Sequence, residues 1–165
     1  MKPFNPLTRR QFIATGAAIA SSLAMPGVAF ASTSTSTLIQ KAIPKSGEDL
    51  PVIGMGTSRT FEGSNDPQLI NTLKQVTQAF FDLGGGMIDS SPMYGSAQQF
   101  LGQILPQIKN KNSLFAATKV WTNGRQSGIE QMEQSRQLWG IERFDLMQIH
   151  NLVDWETHLQ TLQQM

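Results

Sequence analysis

The sequence predicts an α/β fold with a parallel sheet and crossover helices. Three observations carry that reading. Short apolar segments alternate with helical stretches of roughly 10 to 16 residues, the length of a crossover between parallel strands. The helical stretches repeat apolar residues every three or four positions, as one buried helix face requires. Polar residues able to do chemistry stand at the ends of the apolar segments, where parallel α/β folds bind their ligands. The 165 residues suit one domain.

The elements follow in order. Leu38 to Ile43 and Leu50 to Ile53 read as a hairpin around a polar turn containing Pro44, Gly47 and Asp49. The first strand of the main sheet is expected at Val52 to Met55, ending in Gly56-Thr57. A helix comes next, because Leu69, Leu73, Val76, Phe80 and Leu83 recur at spacings of 4, 3, 4 and 3 and share one face. Asp66 supplies its N-cap, Pro67 its first turn and Gly84-Gly85-Gly86 its stop. Met87-Ile88-Asp89 is the next strand, followed by a helix over Ala97 to Ile108 with Ala97, Leu101, Ile104 and Ile108 on one side. Leu114 to Val120 reads as a strand, with Lys119 near its end. A helix over Gly128 to Leu138 turns Ile129 and Met132 inward and stops at Gly140. Phe144 to Ile149 is the fourth strand, ending at His150. Trp155 to Met165 is helical, with Trp155, Leu159 and Leu162 along one side and His158 expected in solvent. Four β/α units make either a small open domain or half of an eight-unit barrel. Periodicity alone does not separate the two.

Charge excludes some functions. The formal net charge of +1 is misleading, since Lys2, Arg9 and Arg10 stand in residues 1–31 without an acid. The remainder carries ten basic and twelve acidic side chains. Such a surface lacks the basic footprint that competes for nucleic-acid phosphates, so no nucleic-acid partner is expected. No cysteine is present, which removes disulfides, thiolate metal sites and a cysteine nucleophile. With only two histidines as well, no protein-built zinc site is expected.

The N-terminus has the layout of a secretory signal. A polar, basic stretch ends in Arg9-Arg10, Phe12 to Ala31 carries no charge, and Ala29-Phe30-Ala31 gives a small-x-small cleavage pattern before Ser32. Thr8-Arg9-Arg10-Gln11-Phe12-Ile13 resembles bacterial twin-arginine signals. The expectation is a cleaved signal over 1–31, a flexible Ser/Thr-rich spacer over 32–37, and export to the periplasm by the twin-arginine machinery. The alternative is a membrane anchor facing the periplasm, because the uncharged run is just long enough to span a bilayer core. Its Gly, Ser and Thr residues and Pro26 weaken it as a span, so no stable span is expected after cleavage.

Asp89, Tyr94, Lys119 and His150 converge, on this reading, at one rim from three successive strands. Each taken alone has a plain structural reading: a helix cap, a loop aromatic, a structural lysine, a structural histidine. Together they suit carbonyl reduction. Adding hydride to a carbonyl builds negative charge on oxygen, which needs a proton donor. Tyrosine can serve, although its reference pKa of about 10 is high. An ammonium at Lys119 would favour the phenolate, and Asp89 would hold that ammonium in place. His150 would hydrogen-bond the substrate oxygen or share the proton transfer.

The pattern resembles the aldo-keto reductase family. It lies in Gly54-Met55-Gly56-Thr57, in Gly86-Met87-Ile88-Asp89-Ser90-Ser91-Pro92-Met93-Tyr94-Gly95, in Ala117-Thr118-Lys119-Val120 and in Met147-Gln148-Ile149-His150-Asn151. The resemblance covers nearly all of 38–165 and implies a (β/α)8 barrel reducing aldehydes or ketones with NADPH or NADH. It implies Tyr94 as general acid, Lys119 lowering its pKa, Asp89 supporting Lys119 and lying near the nicotinamide, and His150 orienting the carbonyl of a small-molecule substrate. Gly56 and Thr57 would border the nicotinamide, while Trp121 and Asn151 would line the substrate pocket. A whole barrel takes about 250 residues, so this chain is expected to cover its first four β/α units. A non-catalytic nicotinamide-binding or partner-regulating subunit, or an inactive piece of the enzyme, are the alternatives.

Overall fold

The computed structural model describes residues 38–165. The expected signal over 1–31 and spacer over 32–37 lie outside the described residues.

Strands β1 (Gln40–Ala42) and β2 (Asp49–Pro51) form the expected antiparallel hairpin, with Lys41 opposite Leu50. Gly47, at φ +73°, donates its N–H to the Ile43 carbonyl at 2.8 Å and so closes the turn. The hairpin runs one residue further than its strands, since the Val52 N–H donates to the Ile39 carbonyl at 3.0 Å. That bond corrects the position of the first main-sheet strand. Strand β3 is Met55–Gly56, not Val52 to Met55, and Val52 and Ile53 are exposed. The chain enters the sheet through Gly54, where a Cβ would lie 2.6 Å from Met87 Cε and 3.2 Å from the Met87 carbonyl.

Helix α1 (Pro67–Asp82) starts as predicted. The Asp66 carboxylate accepts the Gln68 N–H at 3.0 Å, and Pro67 fills the first turn, where a missing N–H leaves nothing unpaired. Its buried face is rotated from the predicted one. Leu73, Thr77 and Phe81 are buried, Leu69, Ile70 and Phe80 half-buried, and Val76 and Leu83 exposed. Thr77 explains the rotation: its hydroxyl donates to the Leu73 carbonyl at 2.8 Å, so this polar residue is buried without an unpaired proton.

Strand β4 (Met87–Asp89) precedes α2 (Ala97–Ile104), which ends four residues earlier than expected. Pro106 has no N–H to continue the helix, and a 3-10 turn over Leu105–Gln107 follows. Ala97, Leu101, Ile104 and Ile108 are all buried, as the spacing predicts. Strand β5 (Phe115–Val120) leads to α3 (Arg125–Trp139), which closes on left-handed Gly140. Along α3, Met132 is buried and Ile129 half-buried. Where α2 crosses α3, a Cβ on Gly102 would sit 1.8 Å from the Leu138 carbonyl, so only glycine fits this crossing.

Strand β6 (Leu146–Ile149) and helix α4 (Trp155–Gln164) complete the described chain. Here the sequence misleads again. Trp155 and Leu159 are exposed, whereas His158 and Thr161 are fully buried. His158, expected in solvent, donates Nε2–H to the Thr122 carbonyl at 2.7 Å. It packs where a Cβ on Gly128 would come within 2.6 Å of Cε1.

The main sheet has the order β3-β4-β5-β6, all parallel. Its core joins Ile88 and Ala116 to Leu73, Phe81, Phe100, Leu101, Ile104 and Trp139 from the helices. Each large apolar side chain so buried contributes about 1.5–3 kcal/mol. Trp139 stays satisfied by donating Nε1–H to the buried Gln98 amide oxygen at 3.0 Å. Among the described residues no helix is long and apolar enough to cross a membrane.

Candidate functional site

Parallel pairing brings the strand ends together. Gly56 is level with Asp89, Asp89 with Ala117, and Lys119 with Gln148. The ladder continues past β4, as the Thr57 N–H donates to the Asp89 carbonyl and the Ser90 N–H to the Ala117 carbonyl. Side chains at these ends share one rim.

At its centre is an ion pair. Lys119 Nζ donates to Asp89 Oδ2 at 2.5 Å and to the Ser90 carbonyl at 2.9 Å. The other carboxylate oxygen, Oδ1, accepts from the Gln148 amide at 2.9 Å. The Lys119 side chain is only 12% exposed and that of Asp89 30%. A charge so far removed from water needs these partners, because an unpaired buried ammonium is strongly disfavoured. Two of the three ammonium protons are thereby engaged, and Nζ lies 5.2 Å from the centre of the Tyr94 ring.

Tyr94 stands in the loop after β4, where its N–H donates to the Ser91 carbonyl at 3.0 Å. Its ring meets the His150 ring edge-to-face at 5.6 Å. The Trp121 ring lies 6.4 Å from His150, tilted, and is 40% exposed. His150 Nδ1 is 2.7 Å from Ser91 Oγ. Partial burial pushes the His150 pKa below the usual imidazole value, and the Lys119 ammonium pushes it the same way. The Asp89 carboxylate opposes them, and the net effect lowers the pKa, in favour of the neutral ring.

Asp89, Tyr94, Lys119, His150 and Trp121 are therefore brought together. Gly56 joins them at the rim, exposed and with open space where a Cβ would stand. Thr57 lies underneath: it is fully buried, and its hydroxyl is 3.0 Å from the Asp89 carbonyl and 2.8 Å from Ser90 Oγ. Asn151 is exposed beside His150 in the chain and has left-handed backbone, φ 55°. The arrangement offers a phenol beside an ammonium and an imidazole, open to solvent on one side.

Three further residues hold this site to which the sequence reading gave no role of their own, Ser91 and Gln148 lying within the motifs that carry the family resemblance. Gln148 bonds Asp89; it stands on β6 level with Lys119 and two residues before His150, which is the signal that could have found it. Gln131 on α3 accepts the Trp121 N–H at 2.6 Å and donates to the Trp121 carbonyl at 3.0 Å, fixing the backbone that carries the tryptophan. Ser91 touches His150 across 59 residues, a pairing no local pattern announces.

Residues 52–165 match the Aldo/keto reductase family. Methylglyoxal reductase YeaE of Escherichia coli (strain K12) is 30% identical over 114 residues, which cover 67% of this chain and 39% of that protein. A thermostable aldo-keto reductase solved with the inhibitor epalrestat superposes with a TM-score of 0.64 at 22% identity, over 77% of this chain and 49% of that one. The Bombyx mori aldo-keto reductase in complex with NADP gives a TM-score of 0.59 at 19% identity, covering 77% and 47%. The Klebsiella pneumoniae aldo-keto reductase in complex with NADPH gives 0.60 at 18% identity, again covering 77% and 47%. The chain thus spans 39% of the curated relative's length and about half of these solved chains. At such identities the solved structures show the fold: the four β/α units correspond to part of a (β/α)8 barrel.

Proposed function

The chain belongs to the aldo/keto reductase family over residues 52–165, and from that premise we propose that it serves an NAD(P)H-dependent reduction of aldehydes or ketones to alcohols. The observation that carries the proposal is Lys119 Nζ, held by Asp89 and the Ser90 carbonyl beneath the Tyr94 ring.

NADPH or NADH, when bound, supplies the hydride. The residues present fit such a cofactor: Gly56 leaves open space on the rim, and Asp89 is partly exposed next to it. Gly56 and Asp89 are proposed to border its nicotinamide end, with Thr57 supporting them from below. The relatives solved with NADP and NADPH favour the phosphorylated form.

As the carbonyl carbon becomes tetrahedral, the bonding pair moves to oxygen and charge develops there. Tyr94 gives its phenolic proton to that oxygen and completes the alcohol. The Lys119 ammonium meets the charge left on the phenol, while Asp89 and Gln148 keep the ammonium from swinging away. His150 hydrogen-bonds the carbonyl oxygen, and Trp121 and Asn151 form the side of the pocket that meets a small-molecule carbonyl substrate.

Tyr94→Phe removes the proton and little else. It should lower carbonyl reduction by a factor on the order of 10² to 10⁴, with nicotinamide binding by titration calorimetry nearly unchanged. A carbonyl panel beginning with methylglyoxal is the assay, given the activity for which the curated relative is named. Comparable turnover by the variant would sink Tyr94 as proton donor. Cofactor binding with no turnover by the unmutated protein would replace the proposal with a non-catalytic nicotinamide-binding role.

The proposal extends to the leader. Arg9-Arg10, the uncharged run and Ala29-Phe30-Ala31 support cleavage after Ala31 and export to the periplasm by the twin-arginine machinery. The check is the first residue of protein recovered from that compartment.

A further inference from the structure

We infer that Ser91 is a positioning residue that fixes His150 in its neutral Nε2–H form, so that His150 acts as a hydrogen-bond donor to the carbonyl and not as the proton source. Its catalytic consequence rests on the proposed reductase reading; the positioning itself does not.

The inference follows from counting protons. A serine hydroxyl has one proton to give and two lone pairs to receive with. Ser91 Oγ already accepts the Met93 N–H at 3.1 Å. Its other neighbour is His150 Nδ1 at 2.7 Å. Ser91 is 1% exposed, so no bulk water is at hand for the hydroxyl proton. If Nδ1 carried a hydrogen, both neighbours would donate to Oγ and the hydroxyl proton would be buried without an acceptor, an arrangement folded proteins avoid. If the hydroxyl donates to Nδ1, every group is satisfied. A neutral imidazole carries one hydrogen, which then resides on Nε2.

The surroundings agree. Among the described residues no group hydrogen-bonds Nε2, which leaves that hydrogen for a ligand. Lys119, Asp89 and Tyr94 are the titratable groups around the ring: the ammonium and partial burial disfavour a second proton, and the carboxylate that would favour one is already taken up by Lys119 and Gln148. Ring contacts at 5.6 Å with Tyr94 and 6.4 Å with Trp121 limit rotation of the imidazole about its Cβ–Cγ bond. Ser91 also caps the turn carrying Tyr94, since its Oγ and carbonyl accept the Met93 and Tyr94 N–H groups. One serine thus ties the proton donor and the carbonyl-orienting group to each other.

The test is 15N–1H correlation of the two imidazoles at about pH 8, where a histidine is neutral, in the full chain and in Ser91→Ala. His150 and His158 are the protein's only histidines, so the spectrum is simple to assign. The expected result is Nδ1 bare and Nε2 protonated for His150, becoming a mixture of the two tautomers in Ser91→Ala. In turnover the variant should lose about tenfold in kcat, part of the loss seen when an oxyanion donor is removed altogether, with KM within about twofold. A protonated Nδ1 in the unmutated protein, or a His150 spectrum unchanged by Ser91→Ala, would overturn the inference. A fixed Nε2–H form in a protein that reduces no carbonyl would uphold it and defeat the reductase reading instead.

Discussion

At the scale of single residues, His150 connects the site to stability. Its pKa is lowered in the fold by partial burial and by the Lys119 ammonium. The unfolded chain begins to protonate it near the reference value of about 6.5, while the folded protein resists. Between that value and the lowered one the unfolded state binds more protons, so stability rises with pH across the window. It is complete above the window and reaches a floor below it. Thermal melts between about pH 5 and 8 should show this slope, and His150→Gln should reduce it. An identical slope in the variant would mean that the titrating group lies elsewhere. The residue scale is also where sequence reasoning divides most sharply. Asp89, Lys119 and His150 could be picked out because each is a polar residue at or near an apolar segment's end, and Tyr94 because it stands in the loop that follows Asp89. Ser91 and Gln148 could not be assigned partners, because their bonds to His150 and Asp89 each cross 59 residues. His158 was misjudged because polarity in a helix suggests solvent, and only the missing Cβ of Gly128 opens room for it inside.

Among the elements, type and order were legible and phase was not. Helices α1 and α4 lie where apolar periodicity puts them, yet both bury a different face. The cause is the same in each: a threonine that bonds its own helix backbone counts as buried surface, through Thr77 to Leu73 and Thr161 to Thr157. Scoring only apolar residues cannot see this. Strand β3 was displaced because hairpin and sheet compete for the same apolar stretch, and the Val52 N–H decides for the hairpin. The strands also differ in protection. β5 is paired on both sides and nearly all buried, whereas all of β1 is exposed and β6, among the described residues, is paired only with β5. Native-state hydrogen exchange should therefore be slowest in β5 and fastest in the β1–β2 hairpin, with the outward-facing amides of β6 fast. Outward amides of β6 as slow as those of β5 would reveal another strand paired along that edge, which a closed eight-unit barrel requires.

For the whole molecule, the question is how the proposed nicotinamide site and the proposed export leader would belong together. A reductase exported unfolded would meet its soluble cofactor only after crossing, in a compartment where supply of that cofactor cannot be taken for granted. The twin-arginine pattern resembles a route for proteins already folded, so a cofactor bound in the cytoplasm could cross with its protein. The two proposals are compatible: were residues 1–31 a twin-arginine leader, folded export would let a cofactor held at the proposed rim by Gly56 and Asp89 cross with the protein. Protein recovered from the periplasm should begin at Ser32, and replacing both Arg9 and Arg10 with lysine should hold it in the cytoplasm with Met1 retained. A membrane-bound product that keeps Met1 would establish the anchor instead. Cytoplasmic protein whether or not the arginines are present would end the export proposal and, with it, the need for a tightly held cofactor, while leaving the Lys119–Asp89 site and its test through Tyr94 untouched.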